Sequence, residues 1–314
     1  MSILTLTLNP ALDLTVSLDG LKPGEVNLAK SGHLGAAGKG INVARVLADL
    51  GHTPRACGFL GLNNDSSFRA LFSQHGIEDD FVRLAGDTRV NVKISEQDGR
   101  VTDINLPGLK VTDVDWNRLL ARLESLANNF DTLVMAGSLP PGVHPQQLEG
   151  MIEMWRERGK TVLLDASGEA LRAGIKGLPA LIKPNIDELA GLVGRPIQDD
   201  ADLAACAREL QAQGIEHVVV SAGADGVHWF SPKGYWRAQV PKVKVVSTVG
   251  AGDSLVAGLC AGFVEGLEEA ETLRRAVALS LMAVTQIGVG IRNQKEVSDY
   301  QNAILITQVE AKEI

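Results

Sequence analysis

Two hydrophobic periods take turns along this chain. The first run, Ile3-Leu4-Thr5-Leu6-Thr7-Leu8, is short, mostly apolar and stopped by Asn9-Pro10, which predicts a strand over residues 3–8. Apolar positions then fall into a helical spacing over 42–50, ended by Gly51. The same exchange recurs downstream. Strands are expected over 55–60, 132–135, 162–165 and 217–221, with a shorter apolar piece at Leu181-Ile182. Helices are expected over 66–75, 113–126, 149–158, 185–192 and 201–213. A β-rich stretch over 243–246 leads into two long helical stretches, 250–265 and 271–285, which close the pattern. Strand and helix in repeated alternation predict an α/β fold, with a mostly parallel sheet flanked by helices on both faces.

Two segments break the alternation. Residues 13–33 and 88–106 are extended and polar, and the second contains Gln97-Asp98-Gly99, a hairpin signal. They predict a small β-sheet outside the main one. Ligands of such folds bind beyond the carboxyl ends of the strands, so a small sheet over that crevice would serve as a lid. No internal repeat, low-complexity tract or linker interrupts the chain, and one domain over 1–314 with an inserted lid is expected.

Composition narrows the partners. A formal charge of -8 disfavours nucleic acid or an anionic membrane surface, while leaving room for a small anion held at a local basic site. Cys57, Cys206 and Cys260 are scattered, with no metal or disulfide spacing, which fits a reducing cytoplasm. No stretch reaches the length of about 18 apolar residues that a membrane span requires. Residues 1–9 lack a basic segment, so no secretory leader is expected there.

The candidate chemistry lies in the joints between elements. Ser247-Thr248-Val249-Gly250-Ala251-Gly252-Asp253-Ser254 opens a helix. Small residues at Gly250, Ala251 and Gly252 let a ligand approach free amides, which form an anion hole. A carboxylate there repels a resting phosphate but makes sense as a proton acceptor, so Asp253 is the candidate base. The same run also fits a helix capped after a glycine-rich turn. Gly35-Ala36-Ala37-Gly38-Lys39-Gly40-Ile41-Asn42 lacks the Ser or Thr of a P-loop and the spacing of a dinucleotide fingerprint. Its Lys39 and Asn42 suit sugar hydroxyls. Arg89, Asn91 and Lys93 alternate with Val90 and Val92, which places two cations and an amide on one strand face, a fit for a phosphate ester. A solvated edge-strand face would read the same way. Lys183-Pro184-Asn185-Ile186-Asp187-Glu188 is both a capping box and a polar pair able to organise a hydrated Mg2+. Ser221-Ala222-Gly223-Ala224-Asp225-Gly226 is a turn that either passes beside a nucleotide or simply joins a hairpin. Ser138, in Gly137-Ser138-Leu139-Pro140, and Asp13 stand at strand ends, where crevice residues lie. No histidine has metal-ligand spacing.

Taken together these runs resemble the ribokinase-like sugar kinases, the pfkB family. The resemblance covers essentially the whole chain and rests on Ala37-Gly38-Lys39-Gly40-Ile41-Asn42, Gly137-Ser138-Leu139-Pro140, Lys183-Pro184-Asn185-x-x-Glu188 and Thr248-x-Gly250-Ala251-Gly252-Asp253. Ala37 replaces a glycine of the family pattern, and Ser247 stands where many relatives carry Asp. Thr88-Arg89-Val90-Asn91-Val92-Lys93 and Asp98-Gly99-x-Val101-Thr102-Asp103-x-Asn105 resemble the hexose-phosphate branch. That resemblance implies ATP-dependent phosphorylation of fructose 1-phosphate at its C6 hydroxyl. Tagatose 6-phosphate and fructose 6-phosphate kinases share most of the runs. It further implies Asp253 as base, an anion hole at Gly250, Ala251 and Gly252, and ATP and Mg2+ served by Lys183, Asn185 and Glu188. Residues 221–226 would flank the nucleotide. Asp13, Gly38, Lys39, Asn42, Arg89, Lys93 and Ser138 would hold the sugar phosphate. A homodimer through the lid sheet is implied as well. A non-catalytic sensor on the same scaffold would lack the base or the Mg2+ pair, and both are present.

Overall fold

The structure, a computed structural model, describes residues 2–309; residue 1 and residues 310–314 of the expected single domain lie outside them. The chain opens with β1 (Ile3–Thr7), β2 (Ala11–Leu18) and β3 (Ser31–Ala37), then α1 (Lys39–Asp49), β4 (Arg55–Gly61) and α2 (Ser66–His75). Short strands β5 (Glu78–Asp79) and β6 (Val82–Leu84) precede β7 (Val90–Glu96) and β8 (Val101–Ile104). Next come α3 (Asp113–Ala127), β9 (Thr132–Ala136), α4 (Pro145–Glu157), β10 (Thr161–Asp165), α5 (Gly168–Gly174) and β11 (Leu181–Ile182). Helices α6 (Ile186–Val193) and α7 (Asp200–Ala212) lead to β12 (His217–Ser221), β13 (Val227–Ser231) and β14 (Gly234–Gln239). Finally α8 (Ala251–Glu265), α9 (Glu269–Val284) and α10 (Gln294–Ala303) precede β15 (Leu305–Val309).

The main sheet runs β15-β14-β13-β12-β11-β10-β9-β1-β4-β5, with β6 also paired to β4. It is parallel from β12 to β5 and antiparallel through β13, β14 and β15. Its central strands are buried on both faces, as the continuous burial of β1 and β9 shows. Helices α3, α4 and α7 supply Leu119, Trp155 and Leu203 to a core on one face. Helices α1, α8 and α9 supply Val43, Leu259 and Leu273 to the other. At about 25 cal/mol per Å2 of buried apolar surface, these two layers dominate the favourable side of folding.

Strands β3-β2-β7-β8 form the separate four-stranded sheet expected from the two polar segments. Residues Leu14, Leu34, Val92 and Ile104 pair across it in one row, so one face is apolar; Asp13, Asn91, Lys93 and Asp103 pair in the adjoining rows.

Several expectations need correction. Residues 243–246 form no strand: Val245 and Val246 are exposed, and the Val246 amide bonds only to the last carbonyl of α9. The chain does not close on two helices, because α10 and the edge strand β15 follow. Helix α1 begins at Lys39 rather than at 42, since Gly38 and Gly40 let the helix start press onto β1. A Cβ at Gly40 would lie 2.5 Å from Thr7 Oγ1, and one at Gly38 2.9 Å from Thr7 Cγ2. Helix α4 starts at Pro145, capped by His144 and Gln147, ahead of the expected 149.

Candidate active site

Three helices begin where the parallel strands end. Helix α1 starts at Lys39, α6 at Ile186 and α8 at Ala251. Strand β10 ends in Asp165, β11 is followed by Lys183, and β9 by Gly137-Ser138. This convergence gathers charge at one edge of the sheet.

At its centre Asp253 is buried, and its Oδ2 accepts a hydrogen bond from Asn42 Nδ2 at 2.7 Å. Burial, reinforced by the negative charge of Asp165, pushes the Asp253 carboxyl up to about 6, against the pull of Lys39, the Asn42 bond and Lys183. Asp165 is 1% exposed and sits between two cations, Lys183 Nζ at 3.3 Å and Lys39 Nζ at 3.4 Å. Burial alone would raise its pKa, but the two lysines outweigh burial and hold it below the usual carboxylate range. Desolvation likewise works against the Lys39 ammonium, yet Asp165, Asp253 and Glu188 keep its pKa raised. The arrangement therefore separates two carboxylates by role. Asp165 stays ionised as a counter-charge, while Asp253 can take and release a proton near neutral pH.

The turn before Asp253 is built for close approach. Gly250 adopts φ 80°, and a Cβ at Gly252 would lie 3.3 Å from Lys183 Nζ. The Gly252 and Asp253 amides make no backbone hydrogen bond among the described residues, so they remain available to an anion. Beside this turn Val245, Val246, Val249 and Ile287 expose an apolar surface.

Asn185 and Glu188 form the full capping box of α6: Glu188 Oε2 accepts from the Asn185 amide at 2.9 Å, and Asn185 Oδ1 from the Glu188 amide at 2.7 Å. Ser221 to Gly226 is the hairpin turn between β12 and β13, with a 3-10 turn at Gly223–Asp225. Ser221, Ala222, Gly223 and Asp225 border a cleft of about 440 Å3 that also contains Asp187, Asp199 and Asp200. Ala224 and Gly226 belong to the same turn but do not line the cleft. Asn185 and Arg237 line the same cleft, and the Arg237 guanidinium donates to Asp200 Oδ2 at 2.7 Å.

The sugar-side residues are engaged differently from the expectation. Asp13 Oδ1 accepts from Asn91 Nδ2 at 3.1 Å, and Lys93 Nζ lies 3.1 Å from Asp103 and 4.0 Å from Asp13. Arg89 stands one residue before β7 rather than on it. Its guanidinium donates to the carbonyls of Asn9 (2.9 Å), Pro10 (3.2 Å) and Leu106 (2.7 Å), which join the main body to the small sheet. Ser138 Oγ accepts from Asn9 Nδ2 at 3.2 Å. Asp165 and Asn9 belong to the site without standing in any of the motifs that mark it. The only sequence signal for Asp165 was an acid closing a buried strand.

Among the described residues no three His, Cys, Asp or Glu side chains cluster to cage a metal. One carboxylate with one amide, Glu188 and Asn185, fits Mg2+, which keeps most of its waters and is completed by phosphate oxygens.

A doubly wound sheet with a buried acid–amide pair at a helix start and a second small sheet at its edge is the build of a sugar kinase. The family model for pfkB family carbohydrate kinases matches residues 6–296, and the chain belongs to that family. It is 47% identical to the 1-phosphofructokinase of Vibrio cholerae over 97% of this chain and 96% of that protein. It is 45% identical to the 1-phosphofructokinase of Escherichia coli K12, over 94% and 95%. Among solved structures, phosphofructokinase-2 from Escherichia coli in complex with substrates and products superposes with a TM-score of 0.89 at 28% identity, over 96% of this chain and 99% of that one.

Proposed function

We propose that the chain transfers the γ-phosphoryl group of ATP to the C6 hydroxyl of fructose 1-phosphate, giving fructose 1,6-bisphosphate. The observation that carries the chemistry is the buried Asp253, oriented by Asn42 at the start of α8 and poised near pH 6. The choice of sugar rests on the identity to the 1-phosphofructokinases above.

In this reading Asp253 accepts the proton of the C6 hydroxyl as its oxygen attacks phosphorus. The amides of Gly252 and Asp253, with Lys183 beside them, stabilise the charge that builds on the transferred group. Gly250 and Ala251 set the turn. Lys39 and Asn42, in the first turn of α1, bind the sugar. Mg2+, held by Glu188 and Asn185, would neutralise charge on the phosphate chain. The apolar patch of Val245, Val246, Val249 and Ile287 offers a surface for the adenine, with Ser221 to Gly226 at its flank. Asp13, Lys93, Arg89 and Ser138 border the sugar phosphate, and the small sheet acts as the lid of the single domain.

The apolar row Leu14-Leu34-Val92-Ile104 supports a homodimer through that sheet, because Leu34 and Ile104 are about half exposed within it. The three cysteines are free and buried, which suits a cytoplasmic enzyme. No helix among the described residues is long and apolar enough to cross a membrane.

The test is kcat/KM for fructose 1-phosphate, fructose 6-phosphate and tagatose 6-phosphate. Moving the phosphate to C6 brings a dianion toward Asp253, so fructose 1-phosphate should lead by roughly 10²-fold or more. A lead for either 6-phosphate would replace the sugar and leave the kinase chemistry standing.

A further inference from the structure

The turn that offers the anion-binding amides does not hold itself in place. Val289 packs on the bare α-carbon of Gly250, where a Cβ would meet Val289 Cγ2 at 2.4 Å. Val289 is buried within the irregular segment 285–293 between α9 and α10. That segment is anchored by α1. Asp49, the last residue of α1, accepts from the Ile291 amide through Oδ2 at 2.8 Å and meets His75 Nδ1 through Oδ1 at 3.2 Å. Gly290, at φ 113°, passes so near that a Cβ would lie 2.7 Å from Asp49 Oδ2. Gln286 closes the segment from inside, donating to the carbonyls of Gly288 at 3.3 Å and Gly290 at 2.7 Å.

Helix α1 also carries Asn42, which holds Asp253. Its eleven residues pack through Val43, Val46 and Leu47 into the core that includes Leu255, Val256 and Leu259 of α8. One short rod therefore fixes both the base and the backing of the turn before it.

We propose that Asp49 is a positioning residue for phosphoryl transfer. By holding the Ile291 amide, with Gly290 passing close beside it, Asp49 seats Val289 against Gly250 and so aims the Gly252 and Asp253 amides. This rests on the reading of that turn as the anion hole. Amides that act on charge developing in the transition state change kcat when misplaced, and leave ground-state binding of either substrate alone.

The experiment is steady-state kinetics in fructose 1-phosphate and ATP, with thermal melts, on Asp49→Ala, Asp49→Asn and Val289→Ala, using Asp253→Asn as the reference. Asp49→Ala should lower kcat by roughly ten- to a hundredfold with both KM values within about twofold of wild type. Val289→Ala should lower kcat in the same sense by a smaller factor. Asp49→Asn keeps an oxygen for the Ile291 amide and should recover most of the loss. A kcat within about twofold of wild type for Asp49→Ala overturns the proposal. So does an Asn variant as poor as the Ala variant, or KM values that rise as far as kcat falls. Should Asp49→Ala fail to fold, Val289→Ala decides, and a wild-type kcat there overturns it. If Asp253→Asn itself keeps wild-type kcat, the reading of the turn falls; if it is inactive while Asp49→Ala is unimpaired, only the tether falls.

Discussion

The two sides of the crevice are prepared differently. On the main-sheet side, the buried Asp165, Lys183 and Asp253 and the half-buried Lys39 and Asn42 form one polar cluster whose members already meet one another. On the small-sheet side, the cations are occupied. Arg89 is bonded to three main-chain carbonyls, and Lys93 to Asp103 at 3.1 Å with Asp13 at 4.0 Å. On the proposed reading, a phosphate arriving there would compete with protein groups, whereas a transferring phosphoryl group would meet amides without partners. Pre-organisation is then concentrated where charge would develop during the reaction, and adaptability where the substrate's resting charge would bind.

The largest effect should come from breaking the prepared side. Asp253→Asn should cut kcat by roughly two to four orders of magnitude with the fold intact. The pH profile sharpens the same point. The carboxylate is the working form, so kcat should fall as pH drops below about 6. Because the folded-state pKa is raised, protonation favours the fold: this contribution is full at acid pH and lost as pH rises through about 6. Asp253→Asn should therefore melt above wild type at pH 8, with the gap narrowing through pH 5 and closing only below the ordinary aspartate value of 3.8. A variant that melts lower at both pH values would mean that Asp253 is a structural cap.

The occupied side should respond in two separable ways. Arg89→Ala removes a guanidinium that ties three carbonyls at the crossing to the small sheet. It should cost about 2 kcal/mol of stability and raise KM for the sugar phosphate roughly tenfold. Lys93→Ala should raise the same KM with little change in melting, because its partners Asp13 and Asp103 stay solvated or bonded. Equal melting losses in the two variants, or equal rises in KM for ATP, would erase the distinction between brace and ligand.

The contrast also marks what the sequence could disclose. Periodicity placed most of the main sheet, most of its helices though not α5 or α10, and both halves of the small sheet, since burial on two faces writes continuous apolar runs. It missed β13 and β14; the five residues of β13 are all buried but mix His228 and Ser231 with apolar neighbours. It also missed β15, an edge strand with exposed Leu305 and little burial to mark it. The glycine-rich turns disclosed Asp253 and Asn42 because backbone geometry demands particular residues there. Asp165 carried no such mark: its two lysine partners, Lys39 and Lys183, stand in separate motifs on either side of it in the sequence, and only the fold brings all three together. For Arg89, alternation alone could not reveal that the guanidinium turns toward the chain crossings rather than across an open face.

The smallest effect tests the residue standing between the two modes of preparation. Glu188 already has a structural duty, because its Oε2 closes the capping box of α6. It also lies near enough to Lys39 to help hold that ammonium charged. Glu188→Gln separates these duties, since glutamine closes a capping box nearly as well but brings no charge to a cation. If Glu188 helps hold Mg2+, the variant should melt within about 1 kcal/mol of wild type and still need several times more Mg2+ for half-maximal rate. Asn185→Ala provides the opposite control, removing the cap oxygen that receives the Glu188 amide. It should lose about 1 kcal/mol of stability through the cap alone. A Mg2+ titration of Glu188→Gln that superimposes on wild type would assign the pair to helix capping, leaving the cation to the phosphates and water.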